Sequence, residues 1–139
     1  MAHPSRMGSK GRPYRSFRVD EWEIRVGKGD AENDRLTFDL SERWDLWLHA
    51  GGGTPGSHVV LCNPARAKVP DAVLERAAEL AAWYSKARAR AKVEVHVCRV
   101  GDVSKQRGAP LGQVRLAKFE RIKVVPRGPE TSEPGDDES

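Results

Sequence analysis

A glycine-rich bend between two apolar stretches constrains the fold of this chain more than any other feature of its sequence. Residues 45–50 (DLWLHA) precede the bend, residues 51–55 (GGGTP) form it, and residues 56–61 (GSHVVL) follow it. Alternating and β-branched residues predict a strand on each side, and glycine with proline permits a sharp turn. The N–H groups of such a bend can bind an oxyanion or a phosphate, although a simple turn is the alternative interpretation.

The charge distribution favours a polyanionic partner. The chain has 139 residues, enough for one domain with one core, and a net charge of +4. Residues 126–139 contain five acidic residues and one arginine, a net charge of −4, which leaves +8 on residues 1–125. A basic domain attracts polyanions by releasing their counterions, so nucleic acid is the first candidate partner, ahead of membrane surfaces and acidic proteins.

Targeting and redox signals are few. No stretch is long and apolar enough to span a membrane, and residues 1–13 lack the apolar segment of a secretory signal. We therefore expect a cytoplasmic protein that does not bind membranes.

Cys62 and Cys98 lack neighbouring ligands at zinc-site spacing, which predicts two buried thiols in strands, with a single disulfide as the alternative.

The chain divides into a folded part and two tails. Residues 1–13 are rich in glycine, serine, proline and basic residues, and residues 127–139 are acidic with two prolines. Neither segment can offset its ordering entropy by burying apolar groups. We therefore predict a domain over residues 14–126 between a disordered basic N-terminal tail and a disordered acidic C-terminal tail.

The apolar periodicity predicts an α+β fold with a largely antiparallel sheet. The first half contains a hairpin of residues 17–19 and 22–26 and a short helix from an N-cap at Asp30 to about Leu40, with Leu36 and Leu40 facing inward. The strands on either side of the glycine-rich bend follow.

A longer helix begins the second half. Residues 69–71 (VPD) start it, and we predict that it ends among the cations of residues 86–92. Residues 93–98 form a strand, residues 103–112 form a basic loop with glycines, and residues 114–116 and 122–124 form a final hairpin. The predicted order is β-β-α-β-β-α-β-β-β, with one short and one long helix packed on the sheet.

Several segments together resemble the NFACT RNA-binding domain, a module of ribosome-quality-control factors that bind tRNA on obstructed large ribosomal subunits. The resemblance covers residues 14–126. The segments that carry it are 27–34 with 36–38 (LTF), 45–50 (DLWLHA), 55–60 (PGSHVV), 81–82 with 84–88 (YSKAR), 105–109 (KQRGA) and 112–114 (GQV).

The chain departs from this family at two loops. The family usually has Arg-Asp directly after His-Ala, where this chain has residues 51–54 (GGGT), and it has Lys-Pro where this chain has Pro110 and Leu111. The first change removes one cation and loosens the loop. The other domains of the full-length factors are not recognisable, so we expect a stand-alone module.

The resemblance and the charge together imply a non-catalytic RNA-binding module without a cofactor or metal. Its expected partner is tRNA or ribosomal RNA, with the large ribosomal subunit as a further candidate. In this hypothesis the cations contact phosphates, the glycine loop presents N–H groups, and an aromatic ring stacks on an unpaired base. The candidate RNA-binding residues are Arg25, Lys28, Asn33, His49, Gly56, Ser57, His58, Lys86, Arg88, Lys105, Arg107 and Gly108.

Three alternative interpretations stay open from the residues. Trp47 on an alternating strand is a candidate core residue, and His49 and His58 are candidates for hydrogen bonds that shape the loop. A nucleotide- or phosphoester-processing enzyme would use Ser57 as nucleophile and His49 as base, since His58 would point to the opposite face of the strand from Ser57. A protein–protein adaptor is the third interpretation, whereas a metal site of His49, His58 and His96 lacks a completing ligand.

Overall fold

A computed structural model describes residues 11–130 and confirms the predicted α+β fold. The elements are β1 (Tyr14–Val19), β2 (Trp22–Gly27), α1 (Asp30–Phe38), β3 (Leu46–Ala50), β4 (Val59–Leu61), α2 (Asp71–Trp83), β5 (Val93–Arg99), β6 (Val103–Ser104), β7 (Arg115–Leu116) and β8 (Glu120–Val124). Six strands form one antiparallel sheet in the order β1-β2-β4-β3-β5-β8, and β6 pairs with β7 in a second, two-stranded sheet.

Both faces of the large sheet are covered, which explains the apolar character of its central strands. Successive residues of a strand point to opposite faces, so Leu48 lies in the cluster with the apolar side of α2. Its neighbour Trp47 lies on the other face in a cluster with Leu36 of α1 and Val103 of β6. With both faces buried, all three residues of β4 are apolar and buried.

The helix boundaries differ slightly from the prediction. Gly29, in an extended conformation, is the N-cap of α1, and Asp30 is the first helical residue, so the predicted N-cap was wrong by one position. The helix ends at Phe38, and Leu40 is therefore 36% exposed rather than buried, whereas Leu36 is buried as predicted. Helix α2 ends at Trp83, so the cations of residues 86–92 lie in turns after the helix rather than in its last turn.

The predicted final hairpin was wrong. Strand β7 pairs with β6, and β8 pairs with β5, so the last two strands lie in different sheets. Each of them buries an apolar side chain on a different cluster, because Leu116 packs with Trp47 and Val124 packs with the α2 side of the core. Local turn signals did not reveal this, since the partner of each strand comes from earlier in the chain.

Both cysteines are free thiols, but the prediction of two buried strand positions is confirmed for Cys98 only. Cys98 is buried in β5, and Cys62 is half-buried just after β4. Burial raises the pKa of each thiol to about 12, which keeps both protonated and poorly nucleophilic near neutral pH.

Contacts at the two ends define how much of the chain packs. The N–H of Lys28 donates to the carbonyl of Pro13. At the other end, Arg76 of α2 donates to the carbonyls of Arg127 and Gly128, so the packed segment extends two residues past the predicted boundary at residue 126. Most of the predicted tails, residues 1–10 and 131–139, lies outside the described residues. Over residues 11–130, no helix has the length and apolar character needed to cross a membrane.

Candidate nucleic-acid interface

Two loops meet at one groove on the α1 side of the sheet. We call residues 51–56 the glycine loop and residues 105–113 the basic loop. Residues 51–56 and residues 110–113 of the basic loop line a groove of about 560 Å³, together with His49 of β3 and His96 of β5. The loops are joined beneath the groove, where His58 Nε2 lies 3.1 Å from the carbonyl oxygen of Gly112. The glycine loop and the C-terminal part of the basic loop therefore lie side by side on one face of the sheet.

A chain of hydrogen bonds holds this junction. Trp47 Nε1–H donates to Thr37 Oγ1 at 3.2 Å, and Thr37 Oγ1 lies 2.9 Å from His58 Nδ1. Since the carbonyl of Gly112 can only accept, His58 must carry its proton on Nε2 and accept from the Thr37 hydroxyl at Nδ1. The neutral ring satisfies every one of these bonds.

Burial explains the protonation state of His58. Its side chain is 1% exposed, and desolvation lowers its pKa to about 4, assisted by the nearby His49 ring. Trp47 is 2% exposed and packs in the core. Of the two alternatives for each residue, the structure shows the core position for Trp47 and the loop-shaping hydrogen bonds for His58.

His49 differs because part of its ring remains exposed in the groove wall. The ring stacks on Trp47 with centroids 5.7 Å apart and an interplanar angle of 14°. Its Nε2–H donates to the Gly56 carbonyl at 3.2 Å, and burial lowers its pKa. His49 is thus a neutral, oriented aromatic ring at the edge of the groove.

Three candidates from the sequence shape the glycine loop from below. Asn33 accepts from the His58 N–H at 3.1 Å and donates to the Gly56 carbonyl at 3.5 Å. Gly56 packs against Ser85, where a Cβ would lie 2.7 Å from the serine Cβ. Ser57 Oγ–H donates to the Gly27 carbonyl at 2.7 Å, so its proton goes to the backbone instead of a histidine base.

Lys105 has an internal role that the sequence did not reveal. Its Nζ lies 2.9 Å from Asp34 Oδ2 and donates to the carbonyls of Pro110 at 2.5 Å and Gln113 at 2.9 Å. Asp34 also accepts from the Gly112 N–H at 3.1 Å. The three ammonium hydrogens therefore have three acceptors, and the pair closes the basic loop onto α1.

Arg25 is also engaged within the fold. Its Nε lies 3.0 Å from Glu23 Oε2, and its guanidinium lies 4.6 Å from the centroid of the Tyr14 ring. Lys28 is half-buried and has contacts of its own. These three cations, Arg25, Lys28 and Lys105, are less available to a ligand than their charge suggested.

The exposed cations lie beside the two loops. Arg107 is exposed next to Gly108, whose φ of +81° places it in the left-handed region that suits glycine. Lys86 and Arg88 are exposed in the turn after α2, and the Lys86 N–H donates to the Pro55 carbonyl at 2.8 Å. A second groove of about 470 Å³ runs between this turn and the glycine loop.

His96 forms part of the groove wall, although the sequence suggested it only as a metal ligand. The ring stacks on Phe119 at 4.3 Å and lies 2.9 Å from Glu94 Oε2. A Cβ at position 51 would overlap this ring, which explains why Gly51 is glycine. The alternation of β5 indicated only that His96 points away from the face of Val95 and Val97, and the structure shows that His49 is its register partner. Within residues 11–130, no group of three His, Cys, Asp or Glu side chains could hold a metal ion.

Comparison with known proteins gives consistent matches. A model of the family described as NFACT protein RNA binding domain matches residues 14–118. The Rqc2 homolog RqcH of Streptococcus suis (strain 05ZYH33) is 34% identical over 125 residues, 89% of this chain and 22% of that protein. The Rqc2 homolog RqcH of Bacillus subtilis (strain 168) is 36% identical over 104 residues, 74% of this chain and 17% of that protein.

The fold is also found among solved structures. The C-terminal part of the fibronectin/fibrinogen-binding protein from Streptococcus suis matches with a TM-score of 0.77 and 35% sequence identity. That match covers 86% of this chain and 47% of the other. The chain thus spans about a fifth of the length of the curated relatives and about half of the solved chain.

Proposed function

We propose that this chain, which belongs to the family of NFACT protein RNA-binding domains, is a non-catalytic module. In this proposal it binds tRNA or ribosomal RNA in the cytoplasm. The family match over residues 14–118 supports RNA binding. The relatives named Rqc2 homolog RqcH support a role in ribosome quality control, with the large ribosomal subunit as a proposed partner.

The observation that carries the proposal is the convergence of the glycine loop and the basic loop on one groove. Three exposed cations belong to segments next to these loops: Arg107 lies in the basic loop, and Lys86 and Arg88 lie in the turn whose Lys86 N–H donates to Pro55 of the glycine loop. Such an arrangement suits a phosphate backbone, because cations at the rim contact phosphates while a rigid groove selects the shape of the RNA. The +8 charge of residues 1–125 adds long-range attraction.

The candidate residues divide into two roles in this proposal. Lys86, Arg88 and Arg107 contact phosphates, and His49 stacks on an unpaired base from the groove wall. The remaining candidates stabilise the fold or keep the loops in position. They are Arg25, Lys28, Asn33, Gly56, Ser57, His58, Lys105 and Gly108.

The decisive experiment compares two triple variants of equal charge. The test variant is Lys86→Ala, Arg88→Ala and Arg107→Ala. The control removes one exposed lysine and two exposed arginines away from the groove, by Lys123→Ala, Arg18→Ala and Arg35→Ala. Fluorescence anisotropy with labelled tRNA and with a ribosomal RNA fragment is measured from 50 to 300 mM salt.

We expect the test variant to lose affinity about tenfold or more at low salt, and its salt slope to fall by about two to three. The control should lose little affinity, because it removes the same charge without removing contacts. Equal losses in both variants would mean that binding is non-specific attraction. A wild-type affinity that does not depend on salt would refute phosphate recognition altogether.

A further inference from the structure

A second cluster of cations lies at the opposite end of β3 from the glycine loop. Arg43 and Trp44 precede the strand, Arg99 ends β5 beside it, and Arg66 comes from the loop after β4. Together with Asn63 and Asp102 they line a groove of about 400 Å³. Trp44 lies in the turn before β3 and His49 lies near the other end of that strand, five positions later, so the two are at most about 17 Å apart.

The backbone around this groove is held by buried polar side chains. Asp45 is 4% exposed, and its carboxylate accepts from the N–H groups of Asn63 and Glu42, both at 2.8 Å. The Asn63 side chain donates to the Ala67 carbonyl at 2.8 Å and accepts from the Ala67 N–H at 3.0 Å. The turn that carries Arg66 is therefore closed at both ends, and the groove keeps its shape without a ligand.

The charges of the groove are poorly balanced. Three guanidinium groups, of Arg43, Arg66 and Arg99, face one carboxylate, that of Asp102. In the part of the chain that the structure describes, none of the three forms an ion pair with an acidic side chain. All three are exposed, so their like charges are tolerated by solvation and an anion between them would be stabilised.

Trp44 explains how one of these arginines is presented. The Arg66 guanidinium lies 3.6 Å from the centroid of the Trp44 ring. A stacked guanidinium uses its flat face for the aromatic ring and leaves its N–H edge free to donate to phosphate oxygens. The Trp44 Nε1–H is itself buried without a hydrogen-bond partner among the described residues, although buried donors are normally paired.

We propose that Arg43, Arg66 and Arg99 form, around Trp44, a second site that binds a phosphate group. The chemistry fits a phosphodiester of an RNA strand and a small phosphate ligand alike. The RNA case rests on the proposed function and makes this groove a second contact on the same strand, at the far end of β3 from the glycine loop. The small-ligand case is independent of it.

The test follows the indole N–H signal of Trp44 by two-dimensional nuclear magnetic resonance. The chain has four tryptophans, so a Trp44→Phe variant identifies the signal by its loss. Wild-type protein is titrated first with inorganic phosphate and then with a 12-nucleotide single-stranded RNA. The same titrations are made with the variant Arg43→Gln, Arg66→Gln, Arg99→Gln and with a control, Arg18→Gln, Arg35→Gln, Arg115→Gln.

For the RNA strand we expect the Trp44 signal to shift in the wild type and the control but not in the test variant. RNA affinity of the test variant should fall about tenfold or more at low salt, with a salt slope lower by about two. A shift with inorganic phosphate and none with RNA would assign the site to a small phosphate ligand. The variant Arg43→Lys, Arg66→Lys, Arg99→Lys retains the charges and should recover part of the affinity.

The failure of this proposal is distinct from the failure of the proposed function. If wild-type protein binds RNA but neither titration moves the Trp44 signal, the second site does not exist and the interface at the glycine loop stands. If wild-type protein does not bind RNA, the proposed function fails and the phosphate titration still decides this site. Unchanged signals of the remaining tryptophans show that each variant is folded.

Discussion

Acid should destabilise this protein through one buried histidine. His58 is neutral in the folded chain, with a pKa of about 4, whereas an unfolded histidine titrates near 6.5. Between these two values the unfolded chain binds a proton that the folded chain does not. The contribution of His58 is therefore complete above pH 6.5 and is lost as the pH falls toward 4.

The size of the effect follows from the difference between the two pKa values. At 1.36 kcal/mol for each unit, the shift corresponds to a loss of roughly 3 kcal/mol by pH 4 and about 2 kcal/mol by pH 5. A small domain has a free energy of unfolding of only about 5–15 kcal/mol, so this loss is large enough to measure.

Urea unfolding followed by tryptophan fluorescence at pH 7, 6, 5 and 4.5 measures this effect. Carboxylates and His49 also titrate in this range, so the quantity of interest is the difference in unfolding free energy between wild type and His58→Gln. We expect wild type to be the more stable at pH 7 and its advantage to shrink by about 2 kcal/mol at pH 5. An advantage that does not change with pH would refute the buried, neutral assignment of His58.

Three further predictions test other parts of the site. Lys105→Ala should destabilise the protein by about 1–2 kcal/mol in urea unfolding, because it leaves Asp34 and two carbonyls without their donor. Arg107→Ala should instead lower RNA affinity with little change in stability. A loss of stability in Arg107→Ala and none in Lys105→Ala would overturn the roles assigned to them. Gly51→Ala should lower the free energy of unfolding by about 1–3 kcal/mol, because the added Cβ overlaps the His96 ring. If a second change, His96→Ala, restores the lost stability, that overlap is the cause. Removing residues 131–139, which contain four acidic residues, should increase RNA affinity at 50 mM salt and have little effect at 300 mM. An equal effect at both salt concentrations would exclude a screened electrostatic cause.

The loops show where sequence reasoning was sufficient for the site. The glycine loop was predicted from its composition and its flanking strands, and the left-handed φ values of Gly52 and Gly53 explain why glycine is needed there. The core position of Trp47 followed from strand alternation. In each case the structural outcome depends on residues close together in the sequence or on the two-residue period of a strand.

The roles of the charged residues could not be predicted in the same way. Lys105 and Arg107 are two positions apart in one basic loop, yet Lys105 is bound to Asp34 and Arg107 is exposed. That difference arises because the fold brings α1, with Asp34, next to the basic loop, although Lys105 comes 71 positions after Asp34 in the chain. Sequence spacing contains no information about this approach.

The sequence by itself determined the element order, the buried position of Leu36 and the excess of positive charge, because these depend on composition and on periods of 2 and 3.6 residues. Only the tertiary structure decided which strands pair at the end of the chain, which cations remain exposed and how His58 joins the two loops. Those outcomes depend on contacts between distant segments, whose free energy is set by the geometry of the folded chain.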